Sequence, residues 1–309
     1  MGRNAFAAAL ERNTPLIIDG GLATQLEAQG CDISNHLWSA SLLMDQPDAI
    51  VAASRAFLDA GADCIATASY QASREGFAQR GLSARRADAL MSLSVDLARQ
   101  ARDDFLGSNP EATFVPLIAA SIGPYGAMLH DGSEYRGDYS VPADRLQIFH
   151  ADRLRLFDTS NADVLGCETI PSLREAQVLA ELLADCATPA WVSFSCKDGE
   201  HISDGTSVEE AAAVFRGHPT VLAVGLNCTP PQYAVELVRR FRGALPDKAI
   251  IAYPNSGETW NAEQGTWSGT AKPLDYALAA AEWVAAGARI VGGCCRTGPE
   301  HIAAIRQDT

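Results

Sequence analysis

Eight short runs of apolar, mostly β-branched residues alternate along this chain with eight stretches of helical periodicity, and few folds accept that order. The runs are Leu16-Ile17-Ile18, Cys64 to Ser69, Phe114 to Ser121, Val164 to Glu168, Trp191 to Cys196, Val221 to Asn227, Ala249 to Tyr253 and Arg289 to Gly293. Helical patterns are expected over about Asp48 to Ala60, Ser83 to Phe105, Ala143 to Thr159 and Ser172 to Leu183. Four more are expected over Val208 to Phe215, Gln232 to Phe241, Leu274 to Ala286 and Glu300 to Arg306. Strand-helix units in unbroken succession predict an α/β protein with one (β/α)8 TIM-type barrel, a single domain over residues 1–309. A doubly wound open sheet is the alternative, but Asp19-Gly20-Gly21-Leu22-Ala23-Thr24 lacks the G-x-G-x-x-G phosphate loop that often marks it. Two connections, 123–141 and 254–273, are long, and loops of that length at the C-terminal face of a barrel commonly carry function.

A formal charge of -14 without a Lys/Arg cluster argues against a nucleic-acid partner. No stretch approaches the roughly 20 apolar residues of a membrane span, and Met1 to Leu10 lacks a signal-like apolar run, so a soluble cytoplasmic chain is expected, as a monomer. Eight cysteines in a reducing compartment suggest metal ligands or catalytic groups more than a disulfide scaffold. Cys64, Cys167 and Cys186 read as small buried residues, as does Cys196 at the end of the fifth run.

Three cysteines differ. Cys228 follows the sixth run and Cys294-Cys295 follow the eighth, so in a barrel all three face one mouth. Adjacent cysteines bridge each other only through a strained peptide, whereas three thiolates fill three corners of a tetrahedron around Zn2+. Gly292 and Gly293 give the backbone freedom to turn both sulfurs inward. Three thiolates leave Zn2+ with a net charge near -1, a poor activator of water but a good holder of an incoming thiol. That chemistry favours thiol alkylation over hydrolysis.

At these residues the sequence resembles the homocysteine S-methyltransferase family. The motifs are Asp19-Gly20-Gly21-Leu22-Ala23-Thr24-Gln25-Leu26-Glu27, Gly225-Leu226-Asn227-Cys228 and Gly292-Gly293-Cys294-Cys295-Arg296-Thr297. Gly123-Pro124-Tyr125-Gly126, residues 131–139 and Tyr253-Pro254-Asn255-Ser256-Gly257-Glu258 look like the branch that takes its methyl group from S-methylmethionine, and often S-adenosylmethionine. The resemblance runs from about Pro15 to Ile305 and implies a barrel with Cys228, Cys294 and Cys295 as zinc ligands. It further implies that Asp19 and Glu168 hold the homocysteine ammonium. Gln25 departs from it, standing where many relatives carry an acid.

The partners implied are homocysteine and a sulfonium donor. A neutral thioether leaves such a donor without a general acid, in keeping with six scattered histidines and no His-carboxylate pair at the strand ends. Aromatic faces stabilise a sulfonium, and Trp38, Tyr70, Tyr125, Tyr135, Tyr139, Trp260 and Trp267 are the candidate lining. Asn227 and Asn255 are candidates either to bind substrate or to order a loop. Selenocysteine is an alternative acceptor. A betaine-dependent enzyme is a less favoured alternative, since such relatives carry a longer C-terminal extension, and cobalamin-dependent transfer, which needs further modules, is not expected. A zinc hydrolase, or a barrel with a purely structural zinc, completes the alternatives.

Overall fold

A computed structural model describes residues 4–33, 41–261, 266–268 and 272–308. Eight parallel strands form the predicted barrel: β1 (Leu16–Ile17), β2 (Cys64–Ala66), β3 (Leu117–Ile122), β4 (Val164–Ile170), β5 (Ala190–Phe194), β6 (Val221–Asn227), β7 (Ala249–Tyr253) and, after a small hairpin of β8 (Thr259–Asn261) and β9 (Thr266–Ser268), β10 (Ile290–Val291). The order around the sheet is β1-β10-β7-β6-β5-β4-β3-β2. A parallel bridge between Ile18 and Cys64 closes it, with the Asp19 amide donating to the Cys64 carbonyl at 3.0 Å. Among the described residues, no helix is long and apolar enough to cross a membrane.

The helices begin and end where capping chemistry places them. Ser83, Ser172 and Ser207 each accept a hydrogen bond from the amide three residues on, opening the helices Ala84–Ser108, Leu173–Leu183 and Val208–Ala213. Left-handed Gly61 and Gly287 follow the helices Pro47–Asp59 and Pro273–Ala286, as helix-stopping glycines do. Short helices escaped the sequence reading: Ala5–Leu10, Leu22–Ala28, Leu42–Asp45, Arg74–Ala78 and Tyr125–Leu129 hold two turns or fewer. Segments that short show no periodicity against their flanks.

Alternation of side chains along the strands divides the core in two. One set faces outward under the helices; the other, including Leu16, Leu117, Val164, Trp191 and Ile251, fills the barrel interior. Gly166 makes room for the Trp191 indole, which a Cβ there would approach to 2.8 Å. The helix Ala5–Leu10 inserts Phe6 into the same cluster, its ring centroid 5.9 Å from that of Trp191. Phe6→Ala is expected to destabilise the protein by about 3 kcal/mol or more, because the cavity lies inside a closed barrel that cannot collapse. The urea unfolding midpoint measures this; an unchanged midpoint would show the helix to be a dispensable appendage.

Candidate metal centre

The C-terminal mouth of the barrel gathers the three cysteines. Cys228 follows β6 and Cys294-Cys295 follow β10, on either side of β7. The Cys228 sulfur lies 2.9 Å from that of Cys294 and 3.5 Å from that of Cys295, and all three lie within 4.8 Å of one another. Bonds of about 2.3 Å in a tetrahedron would set sulfurs about 3.8 Å apart, so a small spreading of these unbridged thiols accommodates a metal ion. The thiols titrate as one group. Thiols of Cys228 and Cys294 hydrogen-bonding to Cys295 hold its proton affinity well below that of a free thiol, against the opposing effect of burial. Cys294 is held well above, chiefly by donating to Cys228 and Cys295 and then by burial. The three sulfurs thus differ in proton affinity although they share one residue type.

The backbone around these sulfurs is tightly specified. Cys228 itself is left-handed (φ 49°), as are Thr169 (φ 61°) and Arg296 (φ 64°). The loop after β7 grips the cysteine pair: the Cys294 amide donates to the Pro254 carbonyl at 3.0 Å, and the Ser256 amide to the Cys295 carbonyl at 3.1 Å. Asn255 Oδ1 accepts from the Cys295 amide at 3.2 Å. From the other side, the turn after β1 presses on the turn after β10. A Cβ on Gly21 would meet the Cys294 carbonyl at 2.5 Å, and one on Gly293 the Thr297 hydroxyl at 2.2 Å, so glycine is required at both.

Two acids stand at the same mouth. Asp19 is buried and accepts from the Ala66 amide at 2.7 Å across the β1–β2 seam. Burial pushes its carboxyl up to about 8, the Ala66 hydrogen bond opposing and the Glu168 charge reinforcing the rise. Glu168, half-buried near the end of β4, accepts from Ser121 Oγ and, at 3.1 Å, from the Tyr253 hydroxyl. Burial raises it too, more than those two bonds lower it. Both acids are thus poised for a cation.

Asn227 ties this acid to the metal end. Its Oδ1 accepts from the Thr169 amide at 2.7 Å and the Ser193 hydroxyl at 2.9 Å, while its Nδ2 donates to Thr169 Oγ1 at 2.8 Å and lies 3.9 Å from the Cys294 sulfur. Of the tyrosines, Tyr135 reaches the centre, its hydroxyl 3.5 Å from the Cys228 sulfur. Tyr125 packs instead against Tyr139 and Phe149, with centroids 5.8 and 5.1 Å away. Tyr70, on the loop after β2, feels the charge of Cys228 and bonds Thr169. Trp38 lies outside the described residues, and of Trp260 and Trp267 only the backbone, in the β8–β9 hairpin, is described. Cys196 is buried, 3.9 Å from the Phe194 carbonyl and outside the group of three.

Behind the loop 123–141 lies a polar cluster that no sequence pattern announced. Glu175 accepts from the Tyr125 amide at 2.7 Å and from the Tyr139 hydroxyl, and lies 2.7 Å from His150 Nε2. Arg153 donates to the carbonyls of Gly123 and Tyr70 at 2.7 and 2.9 Å. These four side chains hold the base of the loop that carries Tyr135. This His-carboxylate pair lies on helices and is fully buried; a second, His201–Asp198 at 3.1 Å, sits half-exposed on the loop after β5, and a third, His301–Glu300 at 3.3 Å, opens the last helix.

The family model described as homocysteine S-methyltransferase matches residues 16–309. The chain is 48% identical over 305 residues to homocysteine S-methyltransferase YbgG of Bacillus subtilis, covering 98% of this chain and 96% of that protein. It is 44% identical over 308 residues to homocysteine S-methyltransferase of Escherichia coli, covering 98% of each. The crystal structure of the homocysteine methyltransferase MmuM from Escherichia coli, in its metallated form, superposes with a TM-score of 0.89 at 41% identity, over 99% of this chain and all (100%) of that one. Likeness over nearly the whole length, with the barrel closed and its three cysteines gathered at the mouth, makes this chain a member of the homocysteine S-methyltransferase family.

Proposed function

We propose that the protein transfers a methyl group from a sulfonium, S-methylmethionine or S-adenosylmethionine, to the thiol of homocysteine, forming methionine. The observation that carries this reading is the convergence of three unbridged sulfurs on the mouth that also holds Asp19 and Glu168. The metal of the reading is Zn2+, held by Cys228, Cys294 and Cys295; an all-sulfur set on rigid strand ends suits it. Bound there, it would lower the pKa of an incoming thiol so that the thiol is delivered as thiolate at neutral pH.

The chain's own residues supply the rest. Asp19 and Glu168 take the ammonium of homocysteine, which orients its sulfur toward the cysteines. The homocysteine thiolate attacks the donor's methyl carbon in line. A new S–C bond forms as the donor's S–C bond breaks, and its electron pair returns to the donor sulfur as a neutral thioether. No proton moves, so no general acid is required, and the buried His150–Glu175 pair has no part in the step. Asn227 and Asn255 act by ordering the site: Asn227 spends its amide on Thr169 and Ser193, and Asn255 its side-chain oxygen on the Cys295 amide. Three thiolates would leave the metal too electron-rich to ionise water well, which weighs against hydrolysis.

Methionine formation from homocysteine, followed with S-methylmethionine, S-adenosylmethionine and betaine in parallel, tests the reading. Turnover is expected with at least one sulfonium and not with betaine; no methionine from either sulfonium would sink it. Cys294→Ala is expected to drop zinc from one equivalent to a trace and to abolish turnover, and full activity in that variant would remove the cysteine pair from the site. Glu168→Gln is expected to keep its zinc and raise the KM for homocysteine by about tenfold or more, the typical cost of a lost charge-assisted hydrogen bond. An unchanged KM would take Glu168 out of substrate binding.

A further inference from the structure

Buried acids in this protein are generally partnered. Glu175 meets a histidine, an amide and a phenol; Asp63 meets the Ile17 amide and the guanidinium of Arg306. Glu134 differs. It is 6% exposed, and its Oε2 is the one buried carboxylate oxygen without a hydrogen-bond partner among the described residues. The carboxyl receives a hydrogen bond from its own backbone amide and feels the Arg136 charge, but Oε2 loses hydration without a hydrogen bond in return, a cost that persists in a fold only where something else offsets it.

Its placement is fixed from two sides. Glu134 sits in the single 3-10 turn Ser133–Tyr135, whose last residue brings its hydroxyl to the Cys228 sulfur. The Glu134 carbonyl accepts from the Ser195 hydroxyl, just past β5, at 2.9 Å. Gly126 packs so closely on the Glu134 amide that a Cβ there would come within 2.7 Å of it. The carboxyl is in electrostatic contact with Asp131 and Arg136 on its own loop, and with Cys295 and the Tyr70 hydroxyl at the mouth. Burial pushes it up to about 7, its own backbone amide opposing.

We propose that the Glu134 carboxylate is the anionic contact for the onium charge of the methyl donor, and that it sets the preference for a cationic donor over an uncharged molecule of the same shape. The inference rests on the sulfonium reading above. A cation flanked by a carboxylate and the tyrosines Tyr70 and Tyr135 combines ion pairing with aromatic faces. A role as fourth metal ligand fits less well, since the group of mutually close ligand atoms holds the three sulfurs and no Glu134 oxygen. The ammonium of homocysteine already has Asp19 and Glu168 in that reading. The charge that Glu134 holds is cancelled when the methyl group leaves, so the contact favours donor over product and acts mainly on donor binding.

The test uses zinc-loaded Glu134→Gln and S-methylmethionine. Its KM for the donor is expected to rise at least tenfold, with kcat, the KM for homocysteine and the zinc content each within about twofold of wild type. Homoleucine, in which a CH group replaces the sulfonium, separates charge from shape. Against wild type it should compete with the donor with an inhibition constant at least tenfold above the donor KM, and against the variant at a comparable concentration. A donor KM unmoved in Glu134→Gln overturns the proposal, as does loss of zinc in that variant, which would make Glu134 part of the metal site. Should the variant not fold, the wild-type comparison decides alone: homoleucine competing as well as the donor binds would overturn it. Wild-type protein that makes no methionine from any sulfonium fails the underlying reading, whereas normal turnover with an unmoved donor KM fails Glu134 only.

Discussion

The side-chain amide of Asn227 is the interaction on which the geometry of the mouth depends. Thr169 is β-branched and left-handed (φ 61°), a conformation that costs energy and persists only where its surroundings impose it. Asn227 imposes it from β6 by accepting the Thr169 amide and donating to its hydroxyl, across the intervening strand β5. The twist coincides with a register shift between Cys167 and Ile170 in the pairing of β4 with β5. It lets Glu168 meet Ser121 and Tyr253 at the mouth. The residue after Asn227 is Cys228, itself left-handed. One amide thus fixes the carboxylate on one strand and the sulfur on another. The ammonium and the thiol of a single small substrate need that fixed relation.

Charge is the second constraint. Asp19, Glu168, Glu134 and three thiols share one end of a barrel whose burial raises the proton affinity of most of them. Isolated, these groups hold protons or repel one another; only cations let them ionise together. A divalent metal, an ammonium and a sulfonium are three such cations, and the proposed reaction brings all three. The cationic character of the proposed ligands follows from the same electrostatics.

Much of this was legible in the residues. The alternation of apolar runs with helical patterns located all eight barrel strands to within a few residues, and serine caps and glycine stops marked helix ends. The cysteine pair pointed to a candidate metal centre because its position at a strand end follows from the fold class. What stayed hidden depends on contacts between segments far apart in sequence. Tyr253 shares the inward parity of Ile251 and so could have been placed inside the barrel, but nothing local pairs its hydroxyl with Glu168, 85 residues away. The roles of Tyr125 and Tyr135 differ for the same reason. Both lie on one aromatic loop, and only the fold of that loop sends one to Cys228 and the other toward Phe149.

That loop shows why buried polar groups behind a site matter to chemistry in front of it. A connection as long as 123–141 loses considerable conformational entropy on ordering, and burial of Ala127 and Met128 and the packing of Tyr125 on Phe149 help to offset it. Its base is also held by Glu175, which accepts from the Tyr125 amide and the Tyr139 hydroxyl and is braced by His150, and by Arg153, which donates to the Gly123 carbonyl. These bonds are buried or half-buried, where a missing partner costs more than it does at a surface. Burial lowers the proton affinity of the His150 imidazole, against the pull of Glu175, and the pair braces the loop through its 2.7 Å contact. The loop is thereby set from behind. Tyr135 reaches the Cys228 sulfur from a preformed turn that also carries Glu134, and in the proposed reading a donor entering there would meet groups already in place instead of paying to order them.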